Sequence, residues 1–430
     1  MVLSNRRIYK IFLLSFSFTL SLLAQIPDDE VLFKFQYFED NNGVFVRQPM
    51  GKIIKRLSPK LAVNAHVLVD GVTAASRQVL YLLQDTTNKK QVQEIKNIKD
   101  GTVFSVDAVT AASQKEIRLQ IGGGVTYQQG NSLVTLSGTK SDENDYHSLS
   151  TAIDLKQDLF NMNSNVTFNY TRFDDDYKPL ENNNDMGGSR LVNSFTLGWT
   201  QTLSSKTLGA ISWGKNLSDG FLGRPYYHVL VEDTIPAITD SSSQGGVFYL
   251  ESYPEERASD AIVILLRQHF QSLIKEASVE GEYRRYQDNW GLNSNTYTAE
   301  INQYFHKNII MQLRYRYYQQ VGTDFYRDRY NLHYVTAGDP QFISYLTVDP
   351  RLADFNSKLI VGKVIILIKD FLKPDIKGVF AFFPTRFDIE VQRYQRSTHP
   401  DAEVRRRRYE NYDKKGLQAW LIRTGFSFNF

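Results

Sequence analysis

The side chains best placed to do chemistry are charged residues that recur at every second position. Glu280, Glu282 and Arg284 stand so in EASVEGEYRRYQD, Arg314 and Arg316 in NIIMQLRYRYYQQ, and Arg386, Asp388 and Glu390 in TRFDIEVQR. Lys34, Arg118 and Arg423 occupy like positions in their own segments, with Asp154, Lys156 and Glu300. A two-residue spacing puts mixed carboxylates and cations on one face of a strand. Such a face either pairs within itself or presents alternating charge to water and polar solutes. Covalent chemistry has less to work with. His147 beside Ser148 and Ser150 in YHSLS is the nearest pairing of a base with a nucleophile, and strand alternation separates His147 from both serines. No G-x-S-x-G, H-E-x-x-H or phosphate-binding glycine loop occurs, so no catalytic residue and no enzyme is predicted. The acid clusters at Asp174–Asp176 and at Asp142, Glu143 and Asp145 lack the spacing and glycine of a calcium loop. With no cysteine in the chain, no disulfide, thiolate metal site or cofactor is expected.

Three further features invite function. The phrase D-x-V-T-A-A-S occurs twice, at Asp70–Ser76 and at Asp107–Ser113. Its hydroxyls (Thr73, Ser76, Thr110, Ser113) can bond back to the local chain, and its alanines allow close packing. Placed at the end of one strand and the start of the next, the two copies would run past each other near a rim. They would then pin the intervening lysine-rich segment, with Asp70 and Asp107 hydrogen-bonded. Glu255, Glu256, Arg257, Arg285, Asp288 and Trp290 form a second group, read as a polar network at a mouth. Arg405, Arg406, Arg407 and Arg408 form the steepest charge run, suited to lipopolysaccharide phosphates or to a solvated loop.

The elements that must position these residues follow from the ends and the periodicity. Residues 1–24 read as a secretory signal: Arg6, Arg7 and Lys10 precede an apolar run from Ile11 to Leu23, too short to span a bilayer. Those three cations account for the whole formal charge of +3, so the remainder balances at 47 basic and 47 acidic residues. Nothing there suggests nucleic acid as a partner. Beyond the signal no 18-residue apolar stretch exists, so no membrane-spanning helix is expected. Period-two alternation predicts sixteen strands, with fourteen as the fallback. The first two form the hairpin around Asn41–Gly43, and the others lie near 60–70, 115–127, 132–140, 146–158, 164–174, 190–202, 206–216, 256–271, 276–290, 294–306, 308–320, 355–370, 376–393 and 415–430. Many run to 10–14 residues, long for a globular sheet. The chain has 25 tyrosines and 27 phenylalanines, many near strand ends. Short connections fall on one side and long ones on the other, the asymmetry of periplasmic turns and extracellular loops. The last segment, WLIRTGFSFNF, puts Trp420, Ile422, Phe426, Phe428 and Phe430 on one face. A closing Phe430 suits recognition by barrel-assembly machinery.

Several longer phrases support the same reading. GFLGRPYYHV, YPEERASDAI, EYRRYQDNWGLNSNT, RYRYYQQVGTDFYRD and DPRLADFNSKLIVG resemble a family of uncharacterised bacterial outer-membrane proteins. The repeated phrase resembles that family's Asp-x-(Ile/Val)-Ser-Gly-Ala-Thr, departing from it at Ala74, where glycine is common. The resemblance implies an outer-membrane barrel and no particular activity.

The expectation is thus an all-β protein, a single transmembrane antiparallel barrel over residues 25–430 in the outer membrane of a Gram-negative-type bacterium. The charged strand faces would line its lumen, and a barrel of this size leaves an aqueous channel unless loops fill it. A channel for small polar solutes is the leading function, and a loop-plugged scaffold anchoring an envelope complex is the alternative.

Overall fold

The computed structural model describes residues 25–41, 44–74, 92–96, 103–107, 116–178, 187–223, 228–232, 246–271, 276–327, 330–368, 385–397 and 416–429. The strands are β1 (Glu30–Asp40), β2 (Val44–Ser58), β3 (Leu61–Ala74), β4 (Val92–Lys96), β5 (Val103–Asp107), β6 (Glu116–Gln129), β7 (Ser132–Asp142), β8 (Tyr146–Leu159), β9 (Ser164–Tyr177), β10 (Gly188–Ser204) and β11 (Thr207–Gly220). They continue as β12 (His228–Glu232), β13 (Gly246–Leu250), β14 (Glu256–Gln271), β15 (Glu276–Asp288), β16 (Asn293–His306), β17 (Ile309–Val321), β18 (Tyr330–Asn331), β19 (Phe355–Leu367), β20 (Arg386–Arg396) and β21 (Gln418–Asn429). Sixteen of them close into one barrel in the order β1-β2-β3-β6-β7-β8-β9-β10-β11-β14-β15-β16-β17-β19-β20-β21, every pair antiparallel. β21 closes on β1 with Phe33 opposite Phe426 and Gln36 opposite Arg423.

The alternation that predicts the strands also sets their faces. On β14 the outward residues Ile262, Ile264 and Leu266 are exposed, while Leu265 between them is buried. Outward Asp260 and Gln268 bound this apolar stretch. Eight residues at ~3.3 Å cover about 26 Å of strand, or about 20 Å of barrel height at a tilt of ~40°. The same outward belt continues through Leu197 and Trp199 on β10, Met311, Leu313 and Tyr315 on β17, and Trp420, Ile422 and Phe426 on β21.

Turn chemistry follows the expected asymmetry among the described residues. One end carries tight turns at 59–60, 130–131, 160–163, 205–206 and 307–308. Of the expected strand at 376–393, residues 386–393 lie in β20 (Arg386–Arg396), while residues 376–384 and the expected turn at 371–375 lie outside the described residues. Two glycines are required where they stand. A side chain at Gly122, inside the IGGGV stretch, would collide with the inward ring of His66 and with Thr139. Gly291 has a φ of +85° in the turn between β15 and β16, packed against Asp324.

The opposite end departs from a plain barrel. Segments within three long connections form a second, five-stranded sheet in the order β18-β12-β13-β4-β5. β12–β13 and β4–β5 are antiparallel hairpins, whereas β13 meets β4 and β12 meets β18 in parallel. A short helix, α1 (Leu332–Val335), follows β18, its N-terminus capped by the Asn331 side chain accepting from the His333 N–H at 3.1 Å. Val229, Val231, Tyr330 and Leu346 form the buried centre of this assembly. A second apolar cluster, including Leu222, Tyr253, Trp290, Phe325 and Leu352, joins it to the rim. Buried Glu251 ties the two: Thr347 Oγ1 donates to it at 2.8 Å, the Val348 N–H at 2.9 Å and the Tyr253 hydroxyl at 2.6 Å. The long connections, expected as extracellular loops, thus carry strands of their own.

Candidate functional site: the polar lumen

The inward faces divide the lumen into two walls. Along β14 to β21 and β1 the wall is charged. Arg267 pairs with Glu280 across β14–β15 (Nε–Oε2 2.7 Å), and Arg314 with Glu300 across β16–β17 (2.6 Å). Glu300 also accepts from Asn302 at 2.7 Å. Further round, Lys363 on β19 stands 3.5 Å from both Asp388 and Glu390 on β20. Arg386 lies 3.5 Å from Asp388. Arg423 on β21 reaches Glu390 at 3.1 Å and donates to Gln36 on β1 at 2.7 Å. Lys34 faces the same cluster, opposite Gly425 in the ladder. Cross-strand register makes these contacts: Glu390 sits directly between Lys363 and Arg423, and Glu300 beside Arg314.

On β3 and β6 the pattern continues in a tighter form. Asp70 is 3% exposed, lies opposite Arg118 in the ladder, forms an ion pair with it and accepts from Gln48 of β2. Arg118 also lies 3.6 Å from Glu143. Two carboxylates thus hold one buried guanidinium, with Gln48 donating to one of them, the arrangement that makes a buried cation tolerable.

The other wall, β7 to β11, is mostly small and neutral. Thr135, Ser137, Thr139, Thr167, Asn169, Thr171, Ser194, Thr196 and Ser212 share its inward register. The Thr126 and Thr135 hydroxyls meet at 3.0 Å, and Asn169 donates to Asp154 at 2.6 Å. Toward the long-loop end this wall closes with an Arg190–Asp175 ion pair beside Tyr146.

The sequence-derived candidates distribute as follows. Lys34, Arg386, Asp388, Glu390 and Arg423 come together on three adjacent strands, and Glu280, Glu282, Arg284, Arg314 and Arg316 share the inward face of β15 and β17. Arg118 stands apart from both groups with Asp70. At the rim, Arg257 donates to Asp288 at 2.9 Å and lies 4.4 Å from the Trp290 ring, and Trp290 Nε1 donates to the Glu256 carbonyl at 2.9 Å. Arg285 does not join them: it points outward and donates to Asn295 at 3.2 Å. His147 is outward with Asp142 at 3.1 Å, on the opposite face from Ser148 and Ser150. The acids at 174–176 likewise split, Asp174 to outward Arg172, Asp175 to inward Arg190, and Asp176 to Lys178.

The repeated phrase is not the matched pair that strand neighbours would make. Asp70 and the Thr73 backbone belong to barrel strand β3, but Asp107 ends β5 of the small sheet, opposite Val92. β3 pairs instead with β6, where Val72 meets Glu116. Ser76, Thr110, Ser113, Arg405, Arg406, Arg407, Arg408, Phe430 and the 1–24 segment lie outside the described residues. The sequence reading missed Lys363 and Arg267. β19 is apolar on both faces around Lys363 (Leu359, Val361 inward; Ile360, Val364 outward), so no alternation marks which way the lysine points.

A closed barrel with an apolar outer belt and a polar interior defines the class. The chain belongs to the family described as "Protein of unknown function (DUF3570)", which it matches over residues 16–361. No curated protein matches the sequence. Among solved structures it is similar to a "Bacterial polysaccharide outer membrane secretin" (7% identity, 94% of this chain and 98% of that one, TM-score 0.47). It is also similar to CdiB from Acinetobacter baumannii (7% identity, 94% and 60% coverage, TM-score 0.49). A third likeness is to Pseudomonas aeruginosa OpdK, solved with vanillate (7% identity, 94% and 98% coverage, TM-score 0.41). None of these likenesses bears on what enters or binds this barrel.

Proposed function

We propose that the protein is an outer-membrane barrel of a Gram-negative-type bacterium that conducts small polar solutes through its lumen. The observation that carries this reading is the inversion of the ordinary in–out pattern: exposed Ile, Leu, Phe and Trp outside, ion pairs and hydroxyls inside. Closure satisfies every strand edge, which a spanning sheet in lipid requires. The outer belt of about 20 Å is near the ~25 Å apolar band of outer-membrane barrels. On this reading the tight-turn end is periplasmic and the small sheet is extracellular. The reading assigns no catalysis.

A second reading, a plugged scaffold, is favoured by one feature: the small sheet and its buried Glu251 network make a firmly built cap. Reconstitution of the purified protein into a planar bilayer separates the two. Stable single-channel steps are expected of a conducting barrel, and deletion of residues 77–104 is expected to raise the current by opening the cap. A silent protein that copurifies with envelope partners would instead establish the scaffold. Fractionation finding the protein soluble without detergent would overturn both.

A further inference from the structure

The inward cations of this lumen are not all alike. Arg118, Arg190, Arg257, Arg267, Arg314, Lys363, Arg386 and Arg423 each stand within 4 Å of a carboxylate. Arg284, Arg316 and Arg396 make no ion pair among the described residues, though all three face inward and are partly exposed to the lumen.

Register gathers these three around one tyrosine. Tyr318 on β17 is flanked across the ladder by Thr296 on β16 and Ser357 on β19. Arg284 on β15 lies opposite Thr296, and Arg396 on β20 lies opposite Ser357. Each arginine is therefore two strands, or about 10 Å of sheet, from Tyr318. Arg316 is two positions along Tyr318's own strand, about 7 Å away on the same face. Thr296 and Ser357 carry small hydroxyl side chains, both buried in the wall between the arginines.

Two of the three guanidiniums stand over aromatic rings. Arg284 lies 5.3 Å from the Tyr286 ring and Arg396 lies 5.2 Å from the Phe355 ring. Phe355 in turn packs on Tyr318 with ring centroids 5.5 Å apart. A stacked guanidinium is held by its flat face, leaving its N–H edge free for a planar acceptor. Glu282 is the one carboxylate in the neighbouring inward row, opposite Thr298, which lies opposite Arg316. Against three cations it leaves the station net positive.

We propose that Arg284, Arg316 and Arg396, arranged around Tyr318, form a binding station for a small solute bearing an oxyanion, a carboxylate or phosphate group. The body of the solute lies against the Tyr318 and Phe355 rings. The station lies toward the long-loop end of the lumen, where a solute would meet it soon after passing the small sheet. It rests on the conducting reading for its role in passage, but binding itself does not require conduction.

The test is equilibrium dialysis of the detergent-solubilised full chain with labelled benzoate, with inorganic phosphate, and with benzamide as the neutral counterpart of benzoate. Saturable binding of benzoate, weakened by salt and absent for benzamide, is expected. Equal binding of inorganic phosphate would assign the station to the oxyanion alone, and preference for benzoate would assign part of it to the rings. Arg316→Gln and Arg396→Gln are each expected to weaken binding roughly tenfold or more, as loss of a charged hydrogen bond does. Arg316→Lys should restore part of it, and Arg285→Gln, on the outer face of the same barrel, should leave it unchanged. Heat-modifiability on gels identifies any variant that fails to fold. Failure of the folded wild-type chain to bind either anion, or equal binding by the folded glutamine variants, would overturn the proposal. In the bilayer, a conducting protein that binds neither anion refutes the station alone, and a silent protein that binds benzoate refutes the channel alone.

Discussion

The barrel and the small sheet are both built of strands, yet they are held in different ways. Barrel strands run 11–17 residues and each pairs with its neighbour in the barrel order, so one repeating rule, apolar out and polar in, fixes face and register along the whole wall. The strands of the small sheet have two to five residues and come from three separate connections, joined by two parallel pairings. Its cohesion rests on a few side chains at long sequence separation, Glu251, Tyr330 and Thr347 above all. The barrel is thus specified many times over, while the cap depends on contacts that a single substitution can remove.

The largest effect is expected where the barrel does rely on one pair. Arg118→Met strands buried Asp70 and Glu143 without their cation. Losing one member of a buried pair costs about 3–5 kcal/mol. Urea unfolding in lipid vesicles, read by heat-modifiability, should show the loss, and Asp70→Leu combined with Arg118→Met should recover much of it. A single variant as stable as wild type would mean that the ladder alone holds this wall. Glu251→Ala is the counterpart in the cap. It leaves the Thr347 and Tyr253 hydroxyls and the Val348 N–H short of an acceptor, about 1–3 kcal/mol for a buried donor left unsatisfied. Deuterium exchange should accelerate at 246–253 and 343–349 while the barrel's urea midpoint stays put. A shift of both together would make the two sheets one cooperative unit.

The same contrast explains what could be read from the sequence. All sixteen barrel strands were legible because alternation and strand length are local properties. β12 (HVLVE) and β13 (GVFYL) carry strand-forming residues, but nothing local says that β13 lies parallel to β4, some 150 residues earlier in the chain. The lumen was half legible. Parity shows that Arg284, Arg314 and Arg316 face inward, but cross-strand register decides that Glu300 lies opposite Arg314 and Thr298 opposite Arg316. A shift of two positions would exchange those roles without disturbing the pattern.

A smaller effect should appear at a barrel turn. Phe160, Asn161 and Met162, between β8 and β9, all have left-handed backbone, with φ of 50°, 54° and 67°. Asparagine tolerates this conformation, but an L-residue such as methionine pays about 1–2 kcal/mol there. Met162→Gly should therefore stabilise the barrel by about 1 kcal/mol, less whatever unfolded-chain entropy the glycine adds. Urea unfolding measures it, with exchange in the small sheet as the unchanged control. Destabilisation would show that the exposed Met162 side chain makes a contact worth more than the strain.

The smallest effect concerns acid, at one carboxylate on each end. At the tight-turn end, Asp29 forms an ion pair with Lys55 and accepts from the Arg56 N–H at 2.5 Å, the Lys55 bond first and this one second holding its pKa below the ordinary 3.8. At the cap, the Gln341 N–H at 2.8 Å and then His333 at 2.7 Å hold Asp339 below the same value. A depressed carboxylate pKa stabilises the fold above the unfolded value and loses that contribution as pH falls through the folded one. Both contacts should therefore be intact at neutral pH and fade only below about pH 3.8. Asp29→Asn at pH 7 should loosen residues 25–29 alone, and Asp339→Asn the 333–341 segment alone, as read by proteolysis or deuterium exchange. Acid should loosen both in the wild type, and in each variant only the end whose carboxylate remains. If Asp339→Asn also loosened the tight-turn end, the two ends would be coupled through the wall, and the independence of cap and barrel would fail.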